Sequence, residues 1–143
     1  MLVEEVAKRS FLQWPIAEAV PAANARAIYV GQRAALTRAF PALCAALPAG
    51  IALKAEGYEI VTRGNTVIVA GNDARGVLFG VGRLLRALDY KRERVALAAA
   101  LNVASAPRYG LRGHQFGYRP KTNSYDGWTV AMWEQYLRDI VAY

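Results

Sequence analysis

The chain has 143 residues, 55% of them hydrophobic and 20% charged, and its 18 Lys and Arg against 11 Asp and Glu give a net charge of +7. These totals fit about one domain built on one core, and they exclude a disordered or membrane-embedded chain. No apolar run approaches the roughly 20 residues a spanning helix needs, and a single cysteine, Cys44, excludes an intrachain disulfide and a cysteine-rich metal cluster.

At the start, Leu2, Val3, Val6 and Phe11 alternate with Glu4, Glu5, Lys8 and Arg9, which predicts a short amphipathic helix stopped by Pro15. Glu4 and Glu5 stand where a secretory signal would carry positive charge. A signal removed upstream of Met1 would make the protein periplasmic or secreted; otherwise it is cytoplasmic. Residues 27–30 are a compact apolar run ended by Gly31, read as a buried strand. Leu36, Ala39, Phe40, Leu43 and Leu47 then recur at helical spacing, with Pro41 either breaking that helix or opening a second turn. Cys44 falls within this pattern and reads as a buried small hydrophobe.

Two β-rich runs, residues 58–63 and 66–70, flank Gly64-Asn65 and predict a hairpin. Asn72 or Asp73 then caps a helix whose Val77, Leu78, Val81, Leu84, Leu85 and Leu88 form one face packed on that sheet. Gly71, Gly76, Gly80 and Gly82 do not make a phosphate loop. No Lys-Ser/Thr pair follows them, and backbone N–H groups inside a helix are already engaged. Their better reading is close approach of the helix to the sheet.

Residues 95–103 are apolar and featureless, and Ser105-Ala106-Pro107 reads as a hinge, so a boundary is expected between domains 1–104 and 105–143. Beyond it the sequence predicts a strand over 109–116, a loop over 117–127 and a helix over 129–142. That helix carries Trp133, Tyr136, Leu137, Ile140 and Val141 on one face and a Glu134–Arg138 pair on the other. It meets Tyr143 in mid-pattern, which reads as a cut rather than a natural terminus. The cations are spread along the chain and no nucleic-acid-binding signature accompanies them, which argues against a nucleic-acid partner.

Four pieces of this sequence resemble the front of glycoside hydrolases that place a small α+β domain before a (β/α)8 barrel: family 20 hexosaminidases, family 67 α-glucuronidases and family 89 α-N-acetylglucosaminidases. They are Gly57-Tyr-Glu-Ile-Val, the helix from Gly71-Asn-Asp-Ala-Arg-Gly to Arg-Leu-Leu, Ala106-Pro-Arg-Tyr-Gly-Leu-Arg-Gly, and the helix from Trp128 to Ala142. The resemblance implies an α+β fold, a small sheet with a β-hairpin and helices packed on one face, followed by the first strand, loop and helix of a truncated barrel. A whole barrel takes about 250 residues. The two carboxyl groups of glycoside hydrolysis would therefore lie beyond Tyr143, and no catalytic residue, cofactor or metal is expected here.

Loops after barrel strands line the catalytic face, so the resemblance makes Arg112, His114, Tyr118, Arg119, Lys121 and Asn123 candidate carbohydrate contacts. Arg112 falls on the position whose arginine binds substrate hydroxyls in family 20, and its alternative reading is a structural ion pair. His114 would point to the same side of the strand, into either a sugar site or the core. His114-Gln115-Phe116-Gly117 departs from family 20, and Asn123-Ser-Tyr-Asp-Gly-Trp leans towards families 67 and 89. The expected partners are a carbohydrate substrate and the rest of the barrel, with self-association through the last helix where the barrel is absent. The alternative is a free-standing carbohydrate- or nucleic-acid-binding α+β module.

Overall fold

A computed structural model describes residues 1–17, 20–22, 24–45, 47, 53–114 and 127–142. Among these residues the elements run α1 (Leu2–Ser10), β1 (Ala27–Gln32), α2 (Arg33–Ala39), α3 (Pro41–Cys44), β2 (Tyr58–Arg63), β3 (Thr66–Gly71), α4 (Ala74–Ala87), β4 (Leu88–Lys91), β5 (Arg94–Leu97), β6 (Asn102–Ser105) and α5 (Val130–Ala142). The fold is α+β. One sheet has the order β1-β3-β2-β6, with β1 parallel to β3 and the other pairs antiparallel, and β4 and β5 form a separate hairpin.

The expected hairpin is β2–β3, paired from Tyr58 with Gly71 to Arg63 with Thr66. Gly64 takes a φ of 53° in its turn, a conformation glycine adopts without strain. Asp73 caps α4, its carboxylate accepting the Gly76 N–H at 2.8 Å. Pro41 sits in the first turn of α3, so the 32–47 pattern is two short helices broken at Phe40.

Helices were expected on one face of the sheet, but they cover both. Successive side chains of a strand point to opposite faces, and β2 and β3 are apolar at both sets of positions. Ile60, Val69 and the partly buried Ile28, Val67 and Val103 pack with Val81, Leu84 and Leu85 of α4 and with Val6 of α1. Val61, Ile68 and Ala70 pack on the other side with Leu36 of α2, Cys44 and Leu47. A sheet apolar on both faces needs two covering layers.

Three further expectations need correction. The 88–105 stretch, read as the helix end and a featureless run, holds three strands. Leu88 opens β4, and Leu88, Tyr90, Val95 and Leu97 pack against the core. β6 joins β2 at the sheet edge, ending at Ser105 where the hinge was placed. The strand expected over 109–116 is absent from its described part, residues 109–114. Among the described residues no neighbouring strand pairs with it, and a lone parallel strand has no ladder. Phe11 was expected on the buried face of α1, but it takes a left-handed φ of 64° just past the helix and is 71% exposed.

The four glycines act as spacers. A Cβ at Gly71 would run into the backbone of Gly76 and Val77, and one at Gly76 into the Gly57 carbonyl. One at Gly80 would sit 2.8 Å from Val69 Cγ1. Gly82 departs from the expectation in its direction: it faces the backbone of Ala142 on α5 rather than the sheet.

Candidate functional site

β6 delivers the chain at Ser105 to the side of α4, Arg112 lies over Phe79, and α5 packs along α4 with polar contacts to α1. The junction encloses an open cavity of about 450 Å3, lined by Tyr58, Phe79, Arg86, Arg112, Ile140 and Val141 together with residues 105–107.

Arg112 is the sequence-predicted residue that enters this cavity. Its guanidinium lies 5.5 Å from the centre of the Phe79 ring, donates to the Tyr109 carbonyl and pairs with Glu56. Glu56 also pairs with Arg75 at 2.7 Å. The two arginines hold the Glu56 carboxyl below its ordinary range. Asp73 builds this corner from beneath. It accepts the Glu56 N–H at 2.7 Å as well as that of Gly76, and these backbone donors keep its carboxyl low. Arg112 is thus anchored to the α+β domain through an ion pair.

His114 goes elsewhere. Its ring meets Tyr136 of α5 edge-on at 5.8 Å, with the tyrosine hydroxyl 3.3 Å from Nε2. Tyr136 in turn touches Trp128 at 5.0 Å, and Trp128 touches Trp133 at 5.1 Å. Arg112 and His114, expected side by side on one strand, face different partners because the segment between them is not extended into a sheet. Tyr118, Arg119, Lys121 and Asn123 lie outside the described residues.

Arg86 was missed from the sequence. It caps α5 by donating to the Ala142 carbonyl, a favourable place for positive charge at a helix C-terminus. Its place beside Arg112 depends on the chain return after β6, for which 105–107 carries no signal.

A second cluster joins α1 to α5. Glu5, 1% exposed, receives Arg9 and Lys8 from its own helix and Gln135 from α5. Arg9 reaches Asp139 at 3.3 Å, and Arg138 pairs with Glu4 at 2.6 Å and with Glu134 at 3.0 Å. On the opposite side of the sheet Glu59, flanked by Ala70 and Ala104, reaches Arg33, while its second carboxylate oxygen is buried without a hydrogen-bond partner. Burial pushes the Glu59 carboxyl up, against the pull of Arg33. Both clusters have the form of structural ion pairs. Among the described residues no three His, Cys, Asp or Glu side chains gather as a metal site, and no helix is long and apolar enough to cross a membrane.

Compared with protein-family models, curated proteins and solved structures, the chain matches none.

Proposed function

We propose that this chain is the N-terminal region of a carbohydrate-active glycoside hydrolase, α-glucuronidase- or hexosaminidase-like. In this reading residues 1–104 brace a barrel, and residues 105–143 begin that barrel and lend one wall to its sugar site. One observation carries the reading. α5 packs on α4 at the buried Ala142, meets α1 through its polar side, Gln135, Arg138 and Asp139, and leaves Leu137 52%, Ile140 38% and Val141 36% exposed. A helix that belonged wholly to the α+β core would bury that apolar stripe. A helix shared with further layers has a reason to keep it outward.

The same reading accounts for the unpaired 109–114 segment, since a barrel strand needs strands on both sides.

Light scattering with tryptophan fluorescence tests the proposal. Concentration-dependent association, removed by Leu137→Glu with Ile140→Glu while the fold persists, supports it. A monomer at every concentration with blue-shifted, quencher-protected tryptophans overturns it, as does hydrolysis of aryl glycosides by this chain alone.

A further inference from the structure

The cavity beside α4 has a lining of two chemistries. Tyr58, Phe79, Ile140 and Val141 supply aromatic and aliphatic surface, and Arg86 and Arg112 supply positive charge, with no carboxylate among the described lining residues. We infer that this cavity is a binding site for a small amphipathic carboxylate, an organic acid whose apolar body rests on Phe79 and Ile140 while Arg86 and Arg112 take its anionic end. The inference does not draw on the hydrolase reading, although the two share Arg112, Ile140 and Val141; the benzoate-to-benzamide ratio tests the cavity alone, and self-association tests the stripe.

Donor accounting supports an anion. A guanidinium carries five N–H groups. Arg86 spends one on the Ala142 carbonyl, and Arg112 spends one on the Tyr109 carbonyl and one on Glu56. Both therefore keep donors to give. Glu56 is shared between Arg75 and Arg112, and Asp73 also acts on Arg75, so two carboxylates balance two cations and the charge of Arg86 is the excess. Arg112 is also set in place in advance. Glu56 and the Tyr109 carbonyl hold its edge and Phe79 lies against it, which lowers the entropy cost of gripping a ligand.

The rest of the lining decides against simpler occupants. At about 450 Å3 the space falls within the roughly 300–1,000 Å3 of small-molecule sites. Inorganic phosphate would engage the arginines but leave the apolar wall wet. A neutral ligand of the same shape would fill the wall but leave Arg86 facing only the Ala142 carbonyl.

The test uses the whole chain at low salt, titrated with benzoate, cyclohexanecarboxylate, benzamide and inorganic phosphate, and followed by two-dimensional NMR and calorimetry. Saturable shifts centred on Tyr58, Phe79 and Ile140 are expected for the two carboxylates, with benzamide at least about tenfold weaker, the scale of one charge-assisted hydrogen bond. Arg86→Gln is expected to weaken benzoate by a similar factor of about ten. The benzoate-to-benzamide ratio is read on the unaltered chain, so it keeps the test decisive if the variant folds poorly. Equal binding of benzamide and benzoate, phosphate binding as tightly as benzoate, or no saturable shift with any carboxylate would each overturn the assignment.

Discussion

α4 and α5 are neighbouring helices of similar length, and opposite forces hold them. α4 turns Val81, Leu84 and Leu85 into the core, and Gly76 and Gly80 let its backbone settle onto β2 and β3. α5 turns its charged side inward, where it meets α1 through Lys8–Gln135, Arg9–Asp139 and Arg138–Glu4, and touches α4 closely at Ala142 against Gly82. One helix is fastened by shape alone, and the other joins close backbone packing at Gly82 to a set of charged contacts with α1. Shape complementarity tolerates salt and acid but not a change of volume. Charge responds in the reverse way.

The sharpest break of this contrast is Leu84→Ala. Leu84 is fully buried between sheet and helix, and the substitution is expected to cost about 3 kcal/mol through lost transfer energy and a residual cavity, read as a lowered urea midpoint. Gly80→Ala attacks the same seam from the other side. Its new methyl meets Val69 and Tyr58, and crowding of about 1–3 kcal/mol outweighs the gain of about 1 kcal/mol in helix propensity. The expected net loss is about 1 kcal/mol in the same unfolding measurement. A gain in stability at Gly80 would show that α4 rides higher on the sheet than its glycines imply.

The two helices also differ in how far the sequence revealed them. α4 was legible to within a residue at its start, with Asp73 one of two capping candidates, because that cap and the repeat of Val77, Val81, Leu84 and Leu85 are local signals that tertiary packing reinforces. The hairpin ahead of it was legible for the same reason. β4, β5 and β6 were hidden. Leu88 continues the helical spacing by coincidence, and four-residue strands carry too few alternations to stand out. That helices cover both faces of the sheet was also readable, since Ile60 beside Val61 and Ile68 beside Val69 already show two apolar faces. In the candidate site Arg112 was chosen for a family position. Its actual partners, Glu56 and Phe79, are set by the return of the chain over α4. His114 and Arg86 likewise owe their surroundings to α5, which no local pattern positions.

The clasp between α1 and α5 is the next test. Glu5→Gln removes the central negative charge beneath Arg9 and Lys8, both of which remain partly exposed. A loss of about 1 kcal/mol is expected at low ionic strength, and a smaller one in 1 M salt, where the Debye length falls to about 3 Å. Thermal unfolding at both salt levels reads it.

Acid acts on the clasp with a definite sign. Burial would raise Glu5, but Arg9 and Lys8 outweigh it and hold the carboxyl below its ordinary range, and Arg138 and the N-terminal amine lower Glu4. Folded values below unfolded ones contribute stability that is present above the unfolded pKa and lost as pH falls through the folded one. Glu59 runs the other way. Its raised folded value contributes stability that is complete below the unfolded pKa and lost as pH rises through the folded one. Glu59→Gln is therefore expected to flatten the stability profile just above the ordinary carboxylate range, while Glu5→Gln flattens it below that range. Parallel profiles for the two variants would remove the distinction.

The smallest expected effect falls on the outward face of α5. Leu137 is 52% exposed and belongs to neither core cluster. Leu137→Glu should change the stability of the dilute chain by less than about 0.5 kcal/mol, as surface substitutions do, although Leu84→Ala one helix away costs several times more. Both are leucines on amphipathic helices of the same molecule, and only the direction in which the helix was turned separates them. If Leu137→Glu were to destabilise the dilute monomer as Leu84→Ala does, α5 would be fastened by its apolar side after all. Its charged contacts with α1 would then be incidental. A near-silent substitution would instead mark the stripe as surface rather than core.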